Sequence, residues 1–224
     1  MKNKLLIHIL FMLIGLAPLL YLWYIWNTLP ATVPIHFGGD MKPDSFGPRS
    51  ELIGTACVIS GISIITYLLM QNIHRIDPKR RHKPNASIFN KLGAGIILFL
   101  AALNILTLMA SAGKPGILSH GLLPVVGLLF TFLGNYMYSV KPNYFAGIRT
   151  PWALSNDYNW TKTHQLAGIL WFIGGLVITI SALILPAESM EYILIPVIAI
   201  LAVVPYAYSF IIYKRQSSQL DKEI

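Results

Sequence analysis

Long uncharged apolar stretches dominate the sequence, and their lengths predict its secondary structure. Six stretches contain no Asp, Glu, Lys or Arg: Leu5–Trp26, Leu52–Met70, Leu92–Ala110, Ile117–Val140, His164–Leu185 and Tyr192–Tyr213. About 20 helical residues cross the hydrocarbon core of a bilayer, whereas a soluble helix needs one polar face. The pattern therefore predicts an all-α bundle of six transmembrane helices, and we treat residues 1–224 as a single integral membrane domain.

The composition excludes several other classes of protein. Hydrophobic residues make up 55% of the chain and charged residues 12%, about half the charged share usual in soluble domains. The single cysteine, Cys57, excludes a disulfide scaffold. A transmembrane β-barrel would show alternating segments of about ten residues, and that period is missing.

The distribution of Lys and Arg predicts the orientation in the membrane. Of the 17 basic residues, 14 lie in the two tails and in the connections 71–91 and 141–163, which alternate along the chain. The positive-inside rule then places both termini and residues 141–163 in the cytoplasm and residues 27–50 outside. We expect the basic segment 74–91 to contact anionic lipids, and no recognition module suggests direct binding of nucleic acid.

Residues 27–50 are predicted to form a small extracytoplasmic cap over the outer helix ends. Four prolines and three glycines exclude a long helix here, and Val33–Phe37 suggests a short extended piece in a hairpin-like structure. The polar side chains of this cap segment are His36, Asp40, Asp44 and Arg49. They match no metal-ligand motif, so we expect hydrogen bonds within the cap and no metal or cofactor.

Residues 141–163 combine basic and aromatic residues in the way expected of a loop folded against a membrane. Lys141, Arg149 and Lys162 alternate with tyrosine, phenylalanine and tryptophan, which favour the boundary between water and lipid. Ser155 is a candidate helix N-cap. Beyond it, Trp160 and His164 have the i, i+4 spacing that places two side chains on one helix face.

These two connections resemble those of a known family. The run Lys141-Pro-Asn-Tyr-Phe-Ala-Gly-Ile-Arg-Thr-Pro-Trp-Ala-Leu-Ser-Asn, followed by Trp160-Thr-Lys-Thr-His164, is similar to the signature of the Sdp immunity-protein (SdpI) family. The earlier Leu29-Pro-Ala-Thr-Val-Pro-Ile-His-Phe-Gly, with Lys42-Pro-Asp44, resembles an extracytoplasmic segment of the same proteins. We name residues 141–163 the signature loop.

The resemblance implies a multi-pass protein of the bacterial plasma membrane that protects its host from a secreted toxic peptide, without catalysis. It also implies that such a protein can hold a transcriptional repressor at the membrane and so act in signalling. For toxin binding or its framework, the candidate residues are His36, Asp40, Pro43, Asp44 and Arg49. For partner docking they are Lys141, Pro142, Asn143, Gly147, Arg149, Thr150, Pro151, Trp152, Trp160, Lys162 and His164, although ordering of the loop is an equally good role.

Two alternative functions remain open from the sequence. Pro18, Pro124, Pro196 and Pro205 interrupt predicted spans, as broken helices do in solute or ion-coupled transporters. A membrane enzyme acting on lipid or peptide is the other alternative, although no zinc, serine-hydrolase or phosphate-binding motif names a nucleophile or base. The glycines at 168, 174 and 175 are expected to permit close helix packing.

Overall fold

A computed structural model describes residues 2–39, 41–76, 86–114, 116–186 and 189–220. Its helices are α1 (Lys2–Ile25), α2 (Glu51–Ile76), α3 (Ala86–Ser111), α4 (Gly116–Met137), the short α5 (Pro151–Ser155), α6 (Asp157–Ile184) and α7 (Glu191–Leu220). Within these ranges, six helices are long and apolar enough to cross a membrane, which confirms the predicted number of spans. All except α5 belong to this set.

The helices differ from the uncharged stretches mainly at their ends. The clearest difference is α6, which begins at Asp157, seven residues before the predicted start at His164. Ser155 is not its N-cap: this residue ends α5, and the Asn156 side chain accepts a hydrogen bond from the Asn159 backbone N–H. An asparagine oxygen serves as well as a hydroxyl in this role, so the sequence signal was displaced by one residue.

Two short strands follow α1 and the 3₁₀ turn Trp26–Thr28. The strands β1 (Thr32–Phe37) and β2 (Pro43–Pro48) pair antiparallel, which confirms the extended, hairpin-like conformation predicted for this segment. The register is irregular on both sides of His36. Prolines lack the N–H that a regular ladder needs, and a two-stranded sheet has no central strand that would exclude them.

Buried contacts fix the hairpin to one end of the helix bundle. The Val33 side chain is fully buried in a cluster with Leu22, Leu52 and Leu108 from three helices. The Ser111 hydroxyl, at the end of α3, donates a hydrogen bond of 2.8 Å to the Pro34 carbonyl. We call this the hairpin end.

The signature loop lies at the opposite end of the bundle, which we call the loop end. Its Ala153 and Trp160 belong to a buried cluster with Ile73 near the end of α2 and Phe89 near the start of α3. Since α2 begins beside the hairpin and ends beside the loop, the two connections are separated by the length of a membrane-spanning helix.

Helices α4 and α6 make the most extensive contact between elements of the described structure, and glycines form its centre. A Cβ atom at Gly134 would collide with backbone atoms of α6, and one at Gly175 would collide with backbone atoms of α4. Gly174 faces α7 instead, where a Cβ would lie 2.8 Å from Leu201. The expected role of residues 168, 174 and 175 in close packing is confirmed, since small residues let two helix backbones approach.

Candidate functional site

The signature loop has a rigid frame, and Asn143 is its first fixed point. The Asn143 side chain is 1% exposed. Its Nδ2 donates to the carbonyls of Lys141 (2.8 Å) and Ala146 (3.0 Å), while its Oδ1 accepts from the backbone N–H groups of Phe145 and Ala146, each at 2.7 Å. One amide thus satisfies four backbone groups and determines the path of residues 141–146.

His164 is the second fixed point, and it joins the loop to α6. The Ile148 N–H donates to His164 Nε2 at 3.0 Å, and His164 Nδ1 lies 2.8 Å from the Trp160 carbonyl. Because Nε2 accepts a hydrogen bond, the proton is on Nδ1 and the imidazole is neutral. Gly147 passes directly over this ring with φ = +111°, and a Cβ there would collide with Nε2. The contact requires glycine for two independent reasons.

Trp160 lies beneath His164 in the same helix. The two rings stack with their centroids 4.0 Å apart, which confirms that the i, i+4 pair shares a face. The indole N–H donates to the Val140 carbonyl at 2.8 Å, just before the loop begins. Trp160 is 1% exposed. Trp160 therefore holds the start of the loop against α6 and does not face solvent.

A buried polar network, absent from the sequence-based predictions, connects Thr150 to the start of α6 and to Ser209 of α7. Asn159 Nδ2 donates to the Ser209 carbonyl (2.9 Å), and its Oδ1 accepts from the hydroxyls of Ser209 (2.7 Å) and Thr163 (3.0 Å). Thr150 Oγ1 lies 2.8 Å from Ser209 Oγ and also caps α5 by accepting from the Ala153 N–H. Since the Ser209 proton is directed to Asn159, the Thr150 hydroxyl is the donor to Ser209.

The sequence held a partial signal for this network. Asn159 and Thr163 have i, i+4 spacing, and Ser209 is a polar residue inside the sixth apolar stretch. Polar side chains within membrane helices often bond across helix interfaces. The sequence could not show that Asn159 and Ser209 pair, because they are 50 residues apart along the chain.

Trp152 packs the loop against the C-terminal part of α7. Its ring packs against those of Tyr206, Phe210 and Tyr213, with centroids 5.3 to 6.0 Å apart. Its Nε1 is buried and has no hydrogen-bond partner among the described residues. The aromatic contacts, rather than a hydrogen bond, hold this side chain.

The predicted docking residues differ in exposure, and Gly147, Trp152 and Lys162 are half-buried. Pro142, Asn143, Thr150, Trp160 and His164 are buried, so their side chains cannot contact a partner without rearrangement. Lys141, Arg149 and Pro151 are exposed, as are the aromatic rings of Tyr144, Phe145 and Tyr158. Arg149 donates to the Tyr144 carbonyl, and the Lys162 ammonium lies 5.7 Å from the centre of the Tyr158 ring. The loop therefore presents cations and aromatic rings on a fixed support.

The predicted residues of the hairpin end are arranged differently. His36 Nδ1 and Asp44 Oδ1 are 2.6 Å apart across the two strands, with side chains 69% and 50% exposed. Pro43 is half-buried at the start of β2. Asp40 lies outside the described residues. No group of three His, Cys, Asp or Glu side chains in the described ranges could hold a metal ion.

Arg49 acts as a clamp beneath the hairpin. Its Nη1 donates to the carbonyls of Trp26 (3.1 Å) and Leu29 (3.3 Å), and its guanidinium lies 4.9 Å from the centre of the Trp26 ring. Its backbone N–H bonds the Ala31 carbonyl at 3.0 Å. The planar guanidinium forks to two carbonyls while it covers the Trp26 ring, whereas a lysine ammonium is a compact point charge with no such plane. Arg49 thus joins the end of α1 to the start of α2.

Comparison with known proteins gives a separate family match for a segment at each end. Residues 139–209 match the SdpI/YfhL protein family, and this range contains the signature loop, α6 and α7 as far as Ser209. The resemblance to the SdpI family is confirmed. Residues 13–59, which include the hairpin, match a domain of unknown function, DUF1648.

A curated relative extends the similarity along most of the chain. The immunity protein SdpI of Bacillus subtilis (strain 168) is 24% identical over 191 residues, covering 85% of this chain and 88% of that protein. No solved structure gives a significant match. With its six apolar helices and this similarity to SdpI, the chain is a multi-pass protein of the bacterial plasma membrane.

Proposed function

We propose that this chain is a membrane immunity protein that binds a secreted toxic peptide at its hairpin end. The observation that carries the proposal is its similarity to an immunity protein along 85% of its length, together with the match of residues 139–209, which contain the signature loop, to the SdpI/YfhL family. A likeness confined to the membrane helices would be weaker support, because apolar helices resemble one another in composition.

The hairpin end offers an apolar surface suited to a hydrophobic peptide. Phe46 on β2 is 60% exposed and Ile35 on β1 is 37% exposed. At the same end of the helices, Trp23 and Tyr24 close to the end of α1 and Tyr192 at the start of α7 are 76% to 79% exposed. Large aromatic side chains that remain accessible are the residues that most often dominate the energy of a protein interface.

Toxin binding would protect by interception. A peptide held at the outer helix ends cannot insert into the bilayer or assemble there, and it remains chemically intact. The orientation that this mechanism needs is supported by the excess of Lys and Arg at the loop end. The His36–Asp44 pair and the Arg49 clamp would keep the hairpin in one conformation, which lowers the entropy lost on binding.

The loop end is the proposed docking surface for a cytoplasmic partner such as a transcriptional repressor. Lys141 and Arg149 are exposed on a frame that Asn143 and His164 hold from within. Cations on a rigid support fit acidic side chains of a partner, and their contribution would decline as salt concentration rises. The buried signature residues would act by maintaining this surface.

The test of immunity is survival of a toxin-sensitive bacterium. We would express the chain in a Bacillus subtilis strain lacking its own SdpI, add the toxic peptide, and measure both survival and recovery of intact peptide. Protection with full recovery of the peptide is expected. Death of cells that contain the correctly inserted protein would reject immunity to that peptide, and loss of the peptide would favour a membrane enzyme.

Orientation needs a separate measurement. In a Cys57→Ala background, single cysteines at Ser45 in the hairpin and at Ser155 in the loop can be labelled on intact cells with a membrane-impermeant maleimide. Both positions are exposed. We expect labelling at 45 and protection at 155. The opposite pattern would contradict toxin capture at the hairpin.

A further inference from the structure

Two cavities on adjacent faces of α3 share one cation, Lys91. The first cavity, about 430 Å³, is a groove between α3 and α4, and the second, about 320 Å³, lies among α1, α2 and α3. Lys91 and Ala94 line both. Lys91 is exposed, and its ammonium lies 5.2 Å from the centre of the Tyr136 ring at the loop end of the groove. Lys91, near the start of α3, therefore borders both cavities, of which only the second has several polar side chains in its lining.

The groove between α3 and α4 is apolar along its length. Small residues on α3, Ala94, Gly95 and Ala102, form its floor, and Leu128 and Phe132 of α4 form a wall. Apart from Lys91 and Tyr136, its lining carries no polar side chain among the described residues. A hydrocarbon chain lying in it would meet only apolar surface below the level of Lys91.

The second cavity contains polar groups. His8, Gln71, Ser87 and Asn90 line it together with Tyr67. His8 Nδ1 and the Tyr67 hydroxyl are 2.8 Å apart. If the hydroxyl donates, His8 keeps a hydrogen on Nε2, and if Nδ1 donates, Tyr67 keeps its own. Either tautomer of a neutral His8 therefore leaves one polar hydrogen for an acceptor outside the pair.

We propose that these two cavities form a binding site for one anionic phospholipid. The lipid phosphate would lie at Lys91, its polar headgroup in the cavity lined by His8 and Asn90, and one acyl chain in the α3–α4 groove. Charge complementarity favours an anionic lipid, since no described residue lining either cavity is acidic. The proposal is independent of toxin binding, because both cavities lie towards the loop end and neither includes the hairpin.

A phospholipid accounts for both the lysine and the adjoining apolar groove. A free anion would use the lysine but leave the groove empty, and an apolar peptide helix would leave the cation unpaired. An ammonium at the membrane surface contributes about 1 kcal/mol to the binding of anionic lipid, which corresponds to about five-fold in affinity. This factor sets the scale of the expected effect.

The test compares two lysines of equal charge, Lys91 near the start of α3 and Lys114 just after its end. The full chain would be purified as the wild type and as the variants Lys91→Gln, Lys91→Arg and Lys114→Gln. Retained phosphatidylglycerol would be counted by native mass spectrometry against phosphatidylethanolamine. We expect Lys91→Gln to lower phosphatidylglycerol retention about five-fold, while Lys114→Gln and Lys91→Arg leave it unchanged. Equal losses in the two glutamine variants, or equal retention of both lipids by the wild type, would overturn the proposal.

A second variant tests the shape of the site. Ala94→Phe places a ring where the two cavities meet, and Ile62→Phe adds the same ring on an exposed face of α2 as a control. We expect the first variant to lose bound phosphatidylglycerol and the second to retain it, with thermal stability recorded for both. Unchanged binding in a folded Ala94→Phe protein, or displacement of the lipid by glycerol phosphate alone, would contradict an acyl chain in the groove. If Ala94→Phe fails to fold, the Lys91 and Lys114 comparison decides alone.

Discussion

The two ends of the bundle place their distinctive residues in opposite environments. At the loop end, Asn143, Thr150, Trp160 and His164 are buried and form hydrogen bonds with backbone or with one another. At the hairpin end, only Val33 is fully buried in the strands, and most of the polar and aromatic side chains face outwards.

This difference indicates two roles for motif residues: some maintain the backbone conformation, and others form a contact surface. The loop residues specify a backbone path, because each closes hydrogen bonds that would otherwise be unsatisfied in a buried setting. The hairpin residues lie on a surface held by a few anchors, so they are available for contact. Substitutions at the two ends should therefore have different effects on stability, and the following predictions run from the largest expected effect to the smallest.

The largest effect is expected for Gly147→Ala. This change adds a Cβ that collides with His164 at a positive φ, and we expect a loss of about 3 kcal/mol or more in the free energy of unfolding. Gly39→Ala, in the hairpin turn, is the matched control because nothing lies within 4 Å of its added Cβ. Unfolding in mixed micelles measures both. Equal stability of the two variants would contradict the expectation that the loop end is more sensitive to substitution than the hairpin end.

A smaller loss is expected for Ser209→Ala. The change leaves Asn159 Oδ1 and Thr150 Oγ1 each without one partner in a buried site, which should cost about 1–2 kcal/mol. Ser218→Ala is the control on the same helix, since its hydroxyl bonds only the Lys214 carbonyl at an exposed position. If both serine variants unfold alike, the network contributes no more than a surface hydroxyl.

Phe46→Ala should separate stability from function. The ring is 60% exposed, so we expect a change of less than about 0.5 kcal/mol in unfolding free energy. Protection in the survival assay should nevertheless fall, with toxin affinity lowered about ten-fold if the ring is an anchor of the interface. Tyr138→Ala, 66% exposed at the loop end, should leave protection intact. Equal protection by the two variants would exclude Phe46 from the binding surface.

The smallest effect is expected for His36→Gln. The His36–Asp44 pair is largely exposed, and exposed pairs contribute about 0–1 kcal/mol. We expect unfolding to change by less than about 0.5 kcal/mol, measured alongside Arg49→Lys, which loses the forked contact beneath the hairpin and should be affected more. A reversed order would make the strand pair, and not the clamp, the main support of the hairpin.

The sequence predicted the features that depend on local pattern. Uncharged length predicted six helices, prolines and glycines predicted the hairpin, and i, i+4 spacing predicted that Trp160 and His164 share a helix face. Helix ends were harder to predict. The predicted membrane span stopped at the last charge, whereas α6 continues through charged residues back to Asp157, and the predicted N-cap lay one residue early. The pairing of Thr150 with Ser209 joins residues 59 apart, and nothing in the local pattern of either residue indicates the other.

The glycine contact between α4 and α6 limits how the two faces of the membrane can communicate. Backbones in such close contact cannot slide or rotate past each other without separating, so we expect this pair to move as one body. Helix α7 contacts α6 through side chains, with Leu201 beside Gly174 and the Trp171 N–H bonded to the Leu201 carbonyl. Its Ser209 bonds both Thr150 and Asn159, while Tyr192 lies at the far end. If the proposed toxin binds beside Tyr192, a change in the tilt of α7 is the movement that we expect to carry this event to the signature loop.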